Sequence, residues 1–206
     1  ESLAAALVLS SGWDKKQCLA DFMCGSGTIL IEAGLIARNI APNKFRSRFG
    51  FQQWSDYDHE LYKKVFAEAV AAEVSTPDLK LYGSDISGVV LDKAKQNIAN
   101  AGLSDMIQLR KCSFDKFTPP CEGGMLICNP PYGLRIEADD ILEMYKGFGD
   151  VFKLSQYFRI FVEDVDNWQF ATFAHFIVIK VVCRGDFYTA CTEFFIYIFI
   201  FNNWNC

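Results

Sequence analysis

Residues 18–28 read CLADFMCGSGT, an apolar run that enters a glycine-rich turn and then a helical pattern. Gly25 and Gly27 let the backbone turn sharply and approach a ligand closely. A dinucleotide fingerprint would need a third glycine where Leu30 stands, and the acidic residue expected about 20 positions further on is also missing. The turn therefore predicts a site for a nucleoside-like ligand without a pyrophosphate, although a Gly-x-Gly turn can also be only a tight connection.

Apolar runs and helical patterns alternate along the rest of the chain. We predict strands at residues 18–21, 79–84, 106–109 and 125–128. Helices are predicted at 3–11, ending near Gly12, at 28–38, from a cap at Ser55 or Asp56 to about 73, and from Ser87 to about 101. This alternation predicts an α/β fold, with a doubly wound, mainly parallel sheet covered by helices on both faces, in one domain over 1–206.

The sequence Gly83-Ser84-Asp85-Ile86 stands at the end of the predicted strand 79–84. Ligands of doubly wound sheets bind beyond the carboxyl ends of the strands. A carboxylate at Asp85 can accept hydrogen bonds there from both hydroxyls of a ribose. Taken alone, however, Asp85 fits a cap of the following helix better.

The sequence Asn129-Pro130-Pro131-Tyr132 follows the apolar run 125–128. The two prolines lack N–H donors and fix the chain, so that an amide side chain and carbonyl oxygens point in one direction. Such acceptors hold a planar amino group by two hydrogen bonds and free its nitrogen lone pair for attack. Tyr132 offers a flat face on which a base can stack. The motif therefore predicts a site that acts on an exocyclic amino group of a base.

The three motifs, in this order, resemble those of class I methyltransferases that modify base amino groups. The stretches IEA at 31–33, ARNIAP at 37–42 and FGFQQW at 49–54 are similar, more narrowly, to THUMP-associated RNA guanine-N2 methyltransferases, in the 23S ribosomal RNA branch. The resemblance covers about residues 1–150, the catalytic domain only. It implies methyl transfer from S-adenosylmethionine to guanine N2 in RNA, and a THUMP domain upstream of this chain.

The resemblance also implies roles for single residues. Gly25 and Gly27 would admit the methionine part of the cofactor, Asp21 would orient its amino-acid group and Asp85 would hold the ribose. The adenine contact falls within residues 113–115, of which we choose Asp115. The implied cofactor set is Asp21, Met23, Cys24, Gly25, Gly27, Thr28, Asp85, Ile86, Asp115 and Asn129. The implied catalytic set is Asn129, Pro130, Pro131 and Tyr132, with Asn129 and the Pro130 carbonyl gripping the target amino group.

The chain departs from the family pattern in two places. Phe22 stands where the pattern has proline, a substitution that a turn can absorb. After about residue 154 the similarity fades, and residues 155–206 are divergent, rich in aromatic residues and poor in charge. Within them the run FFIYIFIF at 194–201 is apolar on both alternating faces, which predicts a strand buried on both sides.

The charge of the chain restricts how RNA could bind. The net charge is −5, whereas a protein that grips nucleic acid over its whole surface is usually basic. Arg38, Lys44, Arg46 and Arg48 occur together without an acidic neighbour. We predict that they contact RNA phosphates near the substrate pocket; a solvated loop is the alternative.

The cysteines and apolar runs argue against other classes of protein. Eight cysteines form no C-x-x-C pair and the chain has two histidines, so no metal site is predicted. We interpret the cysteines as reduced, buried thiols of an intracellular, cytoplasmic protein. The longest apolar runs are interrupted by Lys180 and Glu193 and fall short of the roughly 20 residues of a membrane helix.

Alternatives to the ribosomal RNA acceptor stay open. A tRNA guanine-N2 enzyme is one. The same Asn-Pro-Pro-Tyr serves DNA adenine-N6 and protein glutamine methyltransferases, although the segments 37–42 and 49–54 argue against those. The alternative of a different class is a non-catalytic module that keeps only cofactor or RNA binding.

Overall fold

Five parallel strands form the centre of the part of the chain that the structure describes. The computed structural model describes residues 1–76, 78–118, 121, 123–129 and 158–162, the last as backbone. The strands are β1 (Cys18–Asp21), β2 (Leu81–Asp85), β3 (Ile107–Lys111), β4 (Gly124–Cys128) and β5 (Phe158–Val162). Their order is β3-β2-β1-β4-β5, and every neighbouring pair is parallel. The strand order therefore switches direction between β1 and β4, where a doubly wound sheet binds its ligands.

Within the described residues four helices accompany the strands: α1 (Ser2–Ser10), α2 (Thr28–Ala37), α3 (His59–Ala71) and α4 (Gly88–Asn100). Helices α1, α2 and α4 pack on one face of the sheet, in a core that includes Leu30, Leu81 and Met125. The opposite face carries a smaller cluster in which the Phe22 ring lies 5.8 Å from that of Phe117. The predicted parallel α/β fold is confirmed, and the turn absorbs Phe22 by burying it.

The predicted helices form with shifted ends. Helix α3 begins after Asp58 rather than after Ser55 or Asp56, because the Asp58 side chain accepts hydrogen bonds from the N–H groups of Glu60 and Leu61, at 2.9 and 3.0 Å. Residues 50–53, which precede this helix, form a short 3-10 turn. Ser87 caps α4 as predicted, and Gly102 follows that helix with a φ of 68°.

One pair of cysteines contradicts the interpretation of reduced thiols, because Cys18 and Cys121 form a disulfide. Strands β1 and β4 pair with Cys18 opposite Gly124, which brings Cys121 beside Cys18 across 103 residues of sequence. No sequence spacing reveals such a pair. Cys24, Cys112 and Cys128 are free; Cys24 and Cys128 are also buried as predicted, whereas Cys112 is half-buried. Because disulfides are rare in reducing compartments, the cysteines no longer support the intracellular interpretation.

Strand β5 lies within the segment that the sequence marked as divergent. It pairs with β4 from Gly124 opposite Phe158 to Cys128 opposite Val162, the position of the next strand in a parallel sheet. The run 194–201, and the strand predicted there, lie outside the described residues. Among the helices that the structure describes, none combines the length and apolar character needed to span a membrane.

Candidate active site

The glycine turn connects β1 to α2 at the carboxyl edge of the sheet. Gly25 and Gly27 have φ angles of 52° and 83°, in the left-handed region that residues with a Cβ rarely adopt. The Gly27 N–H donates to the Cys24 carbonyl at 2.8 Å, and Thr28 then starts α2. The tight turn predicted from the sequence is therefore present.

This turn is fastened to the end of the neighbouring strand β2. The Cys24 N–H donates to the Ser84 carbonyl at 2.9 Å, and the Ser84 hydroxyl donates to the Phe22 carbonyl at 3.3 Å. The Gly25 N–H donates to Asp85 Oδ2 at 3.0 Å. Two motifs that stand 60 residues apart in the sequence thus form one structural unit.

Asp85 is half-buried, and its two carboxylate oxygens have different partners. Oδ2 accepts the Gly25 N–H, while Oδ1 accepts the Ser87 N–H at 2.9 Å. The helix cap is Ser87, whose hydroxyl accepts from the Val90 N–H, so capping alone does not account for Asp85. Each carboxylate oxygen has a further lone pair, and Asp85 can still accept hydrogen bonds from two hydroxyls.

Asp21 is a buried carboxyl group, only 1% exposed, at the end of β1. Its Oδ1 accepts the Met23 N–H at 3.0 Å, and no ion pair involves it within the described residues. The pKa of Asp21 is raised to about 7, chiefly because burial disfavours the charged carboxylate; the Met23 hydrogen bond lowers the pKa, and the negative charge of Asp85 contributes to raising it. A buried carboxyl without a counter-ion suits a cationic ligand.

The remaining predicted residues follow the ends of neighbouring strands. Ile86 comes directly after β2 and is 70% exposed, an apolar side chain left open at the rim. Asp115 lies in a 3-10 turn after β3, exposed, and the Cys112 N–H ties the end of β3 to the Asp85 carbonyl at 3.1 Å. Asn129 is exposed directly after β4, which is paired with β1. Pro130, Pro131 and Tyr132 lie outside the described residues.

Helix α4 supports the turn through residues that the sequence analysis missed. The Asn97 side-chain amide donates to the Ser26 carbonyl at 3.1 Å. A Cβ built on Gly27 would lie 3.4 Å from the Ala94 Cβ, so the glycine allows close approach of α4. The sequence gives little indication of this role, because Asn97 resembles any exposed helix residue until the packing of α4 on the turn is known.

The four predicted RNA-binding cations differ in their ion-pair partners. Arg38 caps the end of α2 distant from the glycine turn and pairs with Asp105. A ten-residue helix is about 15 Å long, so Arg38 lies at the opposite edge of the sheet from the site, contrary to the expected place near the pocket. Lys44 pairs with Glu73. Arg46 and Arg48 are exposed and form no ion pair within the described part of the chain.

A parallel sheet with a glycine turn after its first strand, a carboxylate after its second and Asn-Pro-Pro-Tyr after its fourth defines a Rossmann-like methyltransferase domain. Residues 1–173 match the RMKL-like methyltransferase domain family. The chain belongs to this family. The match extends past residue 150, where the sequence resemblance was expected to end.

Individual relatives agree with this assignment. Ribosomal RNA large subunit methyltransferase K/L of Shewanella baltica is 42% identical over 158 residues, which cover 74% of this chain and 22% of that protein. A provisionally named methyltransferase crystallised with SAH is 33% identical with a TM-score of 0.74, over 80% of this chain and 44% of its own. A Listeria monocytogenes structure, named as a predicted N6-adenine-specific DNA methylase, is 34% identical with a TM-score of 0.72, over 78% of this chain and 42% of its own. The chain spans between 22% and 40% of the length of the first curated relatives it matches.

The Asp85 carboxylate provides a first test of the cofactor site. We expect Asp85→Ala to weaken S-adenosylmethionine binding about 5- to 150-fold, because leaving the hydroxyls of the bound ribose without their acceptor costs about 1–3 kcal/mol. Isothermal titration measures the dissociation constant. Asp92→Ala, an exposed carboxylate on α4, is the matched control and should bind as the unmodified chain does. An unchanged constant in a folded Asp85→Ala variant would contradict the assignment.

Proposed function

We propose that this chain is the catalytic domain of an RNA methyltransferase that transfers a methyl group from S-adenosylmethionine to N2 of guanine. The hydrogen bond from Gly25 N–H to the Asp85 carboxylate carries the proposal. It joins the glycine turn and the predicted ribose-binding carboxylate at the edge where Asn129 follows β4. A cofactor held at this edge is beside the residues predicted to receive the base.

The residues present fit a nucleoside-containing cation. Asp85 retains acceptor capacity for ribose hydroxyls, exposed Ile86 offers an apolar cover for an adenine ring, and Asp115 is predicted to accept from its amino group. Buried Asp21 is negative when ionised and has no counter-ion in the described structure, which favours a ligand with an ammonium and a sulfonium group. When bound, S-adenosylmethionine supplies an activated methyl group.

In the proposed reaction the guanine amino nitrogen forms a bond to the methyl carbon while the carbon–sulfur bond breaks, and the nitrogen then releases a proton to water. The Asn129 side chain and the Pro130 carbonyl would accept hydrogen bonds from the amino group and aim its lone pair. Tyr132 would stack on the base. Catalysis is then mostly proximity and orientation.

Support for an RNA guanine acceptor comes from the family. The relative named for large-subunit ribosomal RNA is 42% identical, and the segments at 37–42 and 49–54 resemble guanine-N2 enzymes. The Listeria structure named for adenine in DNA favours a second candidate, transfer to adenine N6. Preference for 23S ribosomal RNA over tRNA, an upstream THUMP domain and a cytoplasmic location stay predictions.

Methyl transfer to defined acceptors tests the proposal. The chain is incubated with methyl-labelled S-adenosylmethionine and, separately, with unmodified 23S ribosomal RNA, a tRNA transcript and duplex DNA. We expect label in RNA and none in DNA. Label confined to DNA would support the adenine candidate instead. Cofactor binding by isothermal titration without label in any acceptor would identify a non-catalytic module.

A further inference from the structure

The segment between α2 and α3 is built around a cluster of aromatic rings. The rings of Phe49 and Phe51 stack at 5.2 Å, and both contact Tyr62 of α3 at 6.2 and 5.9 Å. Phe66 extends the cluster along the helix. The Gln52 side chain accepts the Phe49 N–H at 2.9 Å and fixes the 3-10 turn between them. These contacts attach the segment to α3.

The cluster leaves an indole and two guanidinium groups outside it. Trp54 follows the 3-10 turn, and its backbone N–H donates to the Phe51 carbonyl at 3.1 Å. The residue is nevertheless 67% exposed. Arg46 lies over the Phe49 ring at 5.4 Å and donates to the Arg48 carbonyl at 2.8 Å. Phe45 beside it is 61% exposed. We call Phe45, Arg46, Arg48 and Trp54 the aromatic–arginine surface.

Charge favours a polyanion over an apolar protein partner at this surface. Residues 33–55 contain four basic and no acidic side chains, in a chain whose net charge is −5. Two of the four cations are neutralised, since Arg38 pairs with Asp105 and Lys44 with Glu73. Arg46 and Arg48 form no ion pair within the described ranges, so their guanidinium groups can contact phosphates. Exposed aromatic rings beside free cations are the combination that binds single-stranded nucleic acid, because every base has a face that can stack.

We propose that the aromatic–arginine surface binds single-stranded RNA, with a base stacked on Trp54 and phosphates on Arg46 and Arg48. This proposal rests on the proposed function, because it assumes that RNA is the substrate. The surface would hold the strand that carries or flanks the target base. Of the four cations predicted to contact RNA, this proposal keeps Arg46 and Arg48, and it adds exposed aromatic side chains as stacking partners.

Fluorescence anisotropy with a labelled, unstructured 12-nucleotide RNA tests the surface. We expect Trp54→Ala to weaken binding about 5- to 150-fold, the usual effect of losing one stacked base, without changing the slope of log affinity against log salt. Trp54→Phe should recover most of the affinity, since it restores an aromatic face. The replacement of Arg46 and Arg48 by Ser should lower the salt slope by about 1.4, roughly 0.7 for each phosphate contact to a single strand.

The charge-matched control is the replacement of Lys64 on α3 and Lys93 on α4 by Ser, both exposed and without an ion pair among the described residues, which should leave the slope unchanged. The proposal is overturned if the unmodified chain does not bind the RNA, if Trp54→Ala binds as tightly as the unmodified chain, or if the two double variants behave alike. The first two of these results are the ones expected if a protein covers Trp54 instead. If RNA binding depends on Trp54 but no methyl transfer occurs, the proposed function is refuted and the proposed RNA-binding role of the aromatic–arginine surface is supported. If methyl transfer to RNA occurs equally in Trp54→Ala and in the unmodified chain, the proposed function is supported and the RNA-binding role of the surface is refuted.

Discussion

Asn129→Ala should lose methyl transfer by about a hundredfold to a thousandfold, the usual effect of removing one aligned hydrogen-bonding group from the transition state. Asn129 directly follows β4, which pairs with β1, so its amide is exposed at the edge where the cofactor is proposed to bind. Alanine removes the acceptor that would aim the amino group. Single-turnover transfer from labelled S-adenosylmethionine to RNA measures the loss.

Asn100→Ala is the control for Asn129→Ala, because Asn100 is exposed at the end of α4, outside the proposed site. It should react as the unmodified chain does. Both variants should retain RNA affinity, since Asn129 contacts one base and the aromatic–arginine surface is intact. Transfer that survives in Asn129→Ala within a factor of about three would remove this residue from the reaction.

Asp21→Asn should increase the free energy of unfolding and weaken cofactor binding at the same time. Burial raises the pKa of Asp21 from 3.8 to about 7 in the folded chain, so the folded state holds an extra proton between these values. The stability of the unmodified chain therefore falls as pH rises through this window, and above pH 7 the full cost is present. Asparagine removes this cost and keeps an oxygen for the Met23 N–H.

The stability gain of Asp21→Asn should be small near pH 4 and reach up to about 4 kcal/mol at pH 8, from about 1.4 kcal/mol per pKa unit. Urea unfolding at pH 5.5, 7 and 8 measures it, with exposed Asp92→Asn as the control. Affinity for S-adenosylmethionine at pH 8 should fall at least tenfold, because the negative charge is lost. If the difference in unfolding free energy between Asp21→Asn and the unmodified chain does not grow with pH, Asp21 ionises without a cost in stability. The argument that the site favours a cationic ligand would then fail.

The sequence predicted the fold well wherever one local signal decided it. Gly25 and Gly27 required a tight turn, and Ser87 with Gly102 bounded α4. Helix α3 was less well predicted, because Ser55, Asp56 and Asp58 can all act as caps. In the structure Asp58 is the cap, because its side chain accepts hydrogen bonds from the N–H groups of Glu60 and Leu61.

Contacts between distant segments were beyond the sequence. The Cys18–Cys121 disulfide depends on the pairing of β1 with β4, and Asn97 reaches Ser26 only because α4 packs on the turn. Four adjacent cations looked like one patch, yet Asp105 and Glu73 come from other elements and neutralise two of them. The sequence could still predict that the three motifs lie at one edge of the sheet. Each motif follows a strand, and the carboxyl ends of parallel strands lie at the same edge.

The identity of the methylated nucleoside distinguishes transfer to guanine N2 from transfer to adenine N6. Unmodified 23S ribosomal RNA is incubated with the chain and S-adenosylmethionine, digested to nucleosides and analysed by mass spectrometry against standards. We expect N2-methylguanosine as the new nucleoside, and none of it when Asn129 is replaced by alanine. N6-methyladenosine as the product, or no methylated nucleoside from a chain that binds the cofactor, would contradict this expectation.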